Sequence, residues 1–148
     1  MKTLQEVVAS ITEHQAEHEV RTLRRVEPGI VVHQGDVYLH VVPLDWPHGK
    51  KRGSRQVAVG TTVGSRHVAD GDGVEVFDGK RLPPSFKRPT WCTAFLQEQV
   101  EEIFLGPVIV APHGFTLTHP EHAHHQVPAC VVQVTYQGDP RTLMRVQD

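Results

Sequence analysis

The chain has 148 residues, is 39% hydrophobic and 22% charged, and carries a formal net charge of −2. That length is the common size of one domain and buries roughly two-thirds of the unfolded surface, so neither a disulfide nor a metal is required for folding. The near-neutral balance excludes general attraction to nucleic acid or anionic membranes. No apolar run approaches the ~20 residues that cross a bilayer.

The N-terminal segment, residues 1–28, reads as helical. Leu4, Val7, Val8 and Ile11 form one stripe over residues 3 to about 18, and Thr3 with Glu6 resembles a capping box. The stripe extends through Val20, Leu23 and Val26, until Glu27-Pro28-Gly29 stops it. The start turns acidic at once and lacks an apolar signal core, which sets the expectation of a cytoplasmic protein or one packed in a phage particle.

From Ile30 the pattern changes to short β-branched runs between Gly and Pro. Ile30–His33, Val37–Val42, Gln56–Val59, His67–Ala69 and Val74–Phe77 read as strands. Lys50, Lys51, Arg52 and Arg55 read as a solvated basic loop, and Asp78-Gly79 as a hairpin turn. Leu82–Arg88 is a loop. Phe95, Leu96, Val100, Ile103 and Phe104 have the spacing of a short helix, ended by Gly106-Pro107. Val108–Ala111, Phe115–Thr118, Val131–Tyr136 and a stretch within Thr142–Val146 are again strand-like.

Many short strands without a βαβ rhythm predict a mainly β fold. The expectation is a small antiparallel sandwich or barrel-like domain over 29–148, with an N-terminal helix and a short helical insertion at about 80–106. Cys92 and Cys130 are too far apart in sequence for a zinc-ribbon pair and read as small apolar fillers.

Eleven histidines are the unusual feature, and His119, His122, His124 and His125 fall within one short segment just after His113. Neutral imidazole is the commonest protein ligand for divalent transition metals, and a zinc-type site needs three or four donors at about 2 Å. A turn led by Pro120 brings His119 and His122 together as its first and fourth residues. An extended 122–125 instead puts His122 and His124 on one face and His125 on the other. Glu121 is then a fourth ligand, an orienting partner, or a base toward a metal-bound water. Two other readings use the same residues: a cluster that loosens an interface on acidification, and exposed histidines with no chemistry.

Several motifs carry a resemblance: Gln34-Gly35-Asp36-Val37, Gly60-Thr61-Thr62-Val63-Gly64-Ser65-Arg66-His67, His119-Pro120-Glu121-His122, Pro128-Ala129-Cys130 and Arg145-Val146-Gln147-Asp148. Over roughly 33–78 and 107–148 the chain resembles a group of small, largely uncharacterised bacterial and phage β-proteins, whose pattern runs Q-G-D-V, G-x-x-T-G-H-x-H, H-E-E-H and P-x-G-x-Y. The resemblance implies no activity. It makes His67, His119 and His122 the shared polar set, and so points to His67 as the third metal ligand, with His124 or Cys130 as compensation. Ser65 stands where the pattern has its first histidine, Pro120 replaces a glutamate, and Cys130 replaces a glycine.

Asp70-Gly71-Asp72-Gly73 lacks the distant ligand of a calcium loop, and Ser65, His67 and Asp70 lack the elbow of a hydrolase triad. The metal-binding expectation therefore stands against a non-enzymatic assembly protein. In that second reading, the N-terminal helix and the insertion at 80–106 contact a protein partner or a second copy. Core packing is the default reading of Trp46 and Trp91; in this second reading Trp91 would instead join Phe86 and Phe95 in an exposed apolar patch.

Overall fold

In the computed structural model, residues 20–59, 66–120 and 122–146 are described. The helix expected at 3–18, together with Ser65 and Glu121, lies outside them.

In chain order the strands are β1 (Val20–Thr22), β2 (Val31–Gln34), β3 (Val37–Val42), β4 (His48–Lys51), β5 (Gln56–Val59), β6 (Arg66–Asp70) and β7 (Glu75–Gly79). After helix α1 (Gln97–Phe104) come β8 (Leu105–Ala111), β9 (Phe115–Thr118), β10 (His124–Val127), β11 (Cys130–Tyr136), β12 (Gly138–Asp139) and β13 (Met144–Arg145). One sheet has the order β1-β10-β9-β6-β5 and the other β2-β3-β11-β8-β7-β4; β12 and β13 pair alone. The fold is mainly β as the strand pattern predicts, and the strands form separate sheets rather than a closed barrel.

Both main sheets contribute alternate residues to one core. Val37, Leu39 and Val41 enter from β3, Val132 and Val134 from β11, Ala69 from β6, and Phe115 and Leu117 from β9. The other face of the six-stranded sheet is also covered. Trp46 packs there on Val42, Val108 and Val131. Every residue of β11 is consequently buried, which is why that strand reads as apolar almost throughout.

Several sequence expectations are corrected. Val20–Thr22 does not extend a helical stripe; it pairs in parallel with β10, while Leu23 and Val26 pack against the core. The basic stretch is partly strand β4, paired with β7, and its charges meet acids across the pair, Lys51 with Glu75 at 3.7 Å and Arg52 with Asp78 at 2.6 Å. Asp78-Gly79 is not a hairpin turn but the end of β7. A methyl group on Gly79 would run into the Gly106 carbonyl oxygen, so the glycine serves close strand approach.

The helix stops just before Gly106-Pro107, as expected, and β8 begins directly after α1, so the pair itself lies in a strand. Proline is tolerated there because the β8–β11 register shifts between Gln133 and Thr135. The Gln133 amide nitrogen donates to the carbonyls of Gly106, Pro107 and Val134, and its Oε1 accepts from Trp46 Nε1 at 3.0 Å.

The insertion folds on itself. Helix α1 buries Val100, Ile103 and Phe104, and the Gln99 side chain reaches back to the Leu96 N–H at 2.8 Å. Phe86, Trp91 and Phe95 are half-buried against this small cluster, which fits the core-packing default for Trp91 rather than the exposed patch. Arg88 ties the preceding turn by donating to the carbonyls of Cys92, Thr93 and Phe95. Cys92 and Cys130 are free buried thiols in separate clusters, as expected of apolar fillers. Among the described residues no helix is long and apolar enough to cross a membrane.

Candidate functional site

The antiparallel register of β6 and β9 pairs Val68 with Thr118 and Ala69 with Leu117. One step further along that register His67 stands opposite His119, on the core side with Ala69 and Leu117. Their rings lie 4.3 Å apart, and each residue is only 1% exposed. The His122 N–H donates to His119 Nδ1 at 3.2 Å across the turn at Pro120. That fold-back stacks the His122 ring 4.3 Å from His119 and 6.2 Å from His67. Three of the four sequence-predicted ligands therefore meet. His124 begins β10 on the face opposite His125 and Val127, both of which are buried. Burial, then the nearby charges of Arg21, His33 and His124, pushes the His125 pKa down.

Two further residues belong to the site. Gln34 and Val37 close a two-residue hairpin through Gly35 and Asp36, with Gly35 at φ 59°, where glycine is favoured. The hairpin buries Gln34 and Asp36 beside His67. The Gln34 amide nitrogen donates to the carbonyls of Leu117 at 2.9 Å and Ala123 at 2.7 Å. With both its N–H groups engaged, the amide can turn only its oxygen toward His67 Nδ1, 2.8 Å away. An amide oxygen accepts only, so His67 carries a proton on Nδ1, and in the neutral ring Nε2 is the lone-pair nitrogen. That nitrogen lies 3.4 Å from Asp36 Oδ1.

His119 is set the other way. Its Nδ1 accepts a backbone N–H, so in the neutral ring the proton is on Nε2. Two imidazoles sharing one tetrahedral ion have ring centres about 5 Å apart. The 4.3 Å separation of His67 and His119 is shorter than that. Among the described residues no three His, Cys, Asp or Glu side chains are arranged to hold an ion as they stand.

Sequence reasoning singled out His67, His119 and His122 but passed over Gln34 and Asp36 as ligands or partners. The available signal was two polar residues flanking a hairpin glycine immediately before a core strand. Comparison of the chain with protein-family models, curated proteins and solved structures finds no match.

Proposed function

We propose that the domain binds a divalent transition metal through His67 Nε2, Asp36 and His122, with His119 holding the turn that carries His122. One observation carries the reading. The His67 nitrogen and the Asp36 oxygen face each other at 3.4 Å, and two donors at zinc-type bond lengths on one tetrahedral ion stand about 3.3 Å apart. A neutral imidazole lone pair and a carboxylate repel unless a cation or a proton lies between them. The Gln34–His67 hydrogen bond supports the metal, because ligating histidines usually donate their other N–H to a fixed acceptor. The resemblance built on the Gln34–Val37 and His119–His122 motifs fits as well, since it shares these residues. Binding requires the His122 ring to move from its stack on His119 and complete a two-histidine, one-carboxylate set. A fourth position then remains for water, which such an ion activates.

Elemental analysis of protein purified without a tag is the test. One equivalent of zinc, cobalt or nickel is expected, lost in His67→Ala and Asp36→Asn. Metal content no higher than in those two variants overturns the proposal.

A further inference from the structure

On the outer face of the six-stranded sheet, the insertion roofs a cleft of about 760 Å³. That volume is typical of small-molecule sites. Tyr38, His40 and Thr135 line it from the sheet, and Phe86, Trp91 and Phe104 from the insertion and α1. The aromatic rings are packed on one another, with Phe86 and Phe104 centred 5.2 Å apart and Trp91 and Phe104 6.0 Å apart, so the wall is pre-formed.

The polar groups are few. His40 is 3% exposed, with Nδ1 2.7 Å from Ser85 Oγ and Nε2 2.8 Å from Thr135 Oγ1. Burial lowers its pKa to about 4, so the ring is neutral at pH 7 and contributes one donor and one acceptor. Among the described residues, Lys87, on the exposed rim, is the only charged side chain lining the cleft, and it forms no ion pair with any of them.

We infer that this cleft binds a small monoanionic apolar molecule, a carboxylate with an aliphatic or aromatic body. The body lies against Phe86, Trp91 and Phe104, and the carboxylate meets Lys87 and the Ser85 hydroxyl. The relay explains why hydroxyls flank the imidazole on both sides. When Thr135 donates to Nε2, Nδ1–H donates to Ser85, and the Ser85 O–H is left to donate to the carboxylate. One cation on a wall whose other described residues are uncharged matches one negative charge. The site stands on the face of the sheet opposite the core and shares no residue with the histidine site.

Titration of the full chain with octanoate, followed by two-dimensional ¹H–¹⁵N NMR, tests the inference. The Trp91 indole N–H is expected to shift saturably with a Kd of about 1 mM or below. The Trp46 indole, held by Gln133, stays in place and reports that the fold is intact. Octanamide, which has the same body without the charge, is expected to bind about tenfold more weakly, as is octanoate to Lys87→Met. Ser85→Ala is expected to weaken octanoate about fivefold. A Trp91 signal that does not saturate overturns the inference, as does equal affinity for octanoate and octanamide or an unchanged affinity in Lys87→Met.

Discussion

Gln34 is polar, buried and fully used. Its amide joins the β2–β3 hairpin to the carbonyls of Leu117 and Ala123 and also sets the proton position on His67. Gln34→Leu keeps the size but orphans two carbonyls and the His67 N–H, at about 2–4 kcal/mol; urea unfolding of the purified variant reads that loss. His40 makes a second residue-scale prediction. Its folded pKa of about 4 lies below the ordinary histidine value of 6.5, because burial disfavours the imidazolium. Between these values the unfolded chain takes up a proton that the folded chain refuses. Stability is therefore fully present above pH 6.5 and falls as pH drops toward 4, by about 3 kcal/mol from this group. Denaturant unfolding at pH 7 and pH 4.5 should give a smaller acid loss in His40→Gln than in the natural chain; equal losses would contradict the assignment.

At the scale of elements, the six-stranded sheet depends on tight contacts that residue propensity disguises. Gly79 ends β7 where the Gly106 carbonyl occupies the space of a side chain, and Gly106 in turn sits against Val134. Gly79→Ala is expected to cost about 3 kcal/mol through forced strand separation, seen as a lowered Tm in a thermal melt. Trp46 Nε1 and three carbonyls converge on Gln133 at the β8–β11 irregularity, so a proline within β8 sits where the ladder is locally interrupted. The insertion then builds its own small core from Cys92, Val100, Ile103 and Phe104 above that region. Phe86, Trp91 and Phe95 pack against this small core, and Phe86 and Trp91 with the sheet make a cleft rather than an exposed patch.

For the whole molecule, the two sheets bring a hairpin near residue 35, a strand at 67 and a turn at 119–122 to one buried point. A ligand that binds only this folded arrangement stabilises it by mass action. Metal at a hundred times its Kd should raise the unfolding free energy by about 2.7 kcal/mol. Denaturant unfolding with and without added zinc should show that gain, with reversal by chelator and no gain in Asp36→Asn. Strand existence was legible from the sequence because β-branched alternation between Gly and Pro reports local backbone preference, as at Val37–Val42 and Phe115–Thr118. The short helix at Gln97–Phe104 was legible from its 3.6-residue stripe. The histidine trio was legible in part, from a proline-led turn and a shared motif. Strand β4 and Gly79 were misread because their local composition mimics loops and turns, while their conformation is set by partners far along the chain. Asp36 and Gln34 were hidden for the same reason: a two-residue hairpin looks identical whether its polar side chains face water or a distant imidazole. Sequence alone determined most of the extended segments from Ile30 onward and the short helix, since those preferences are local. Only the tertiary structure decided which polar atoms face one another, because register and sheet order join residues that no local interaction connects.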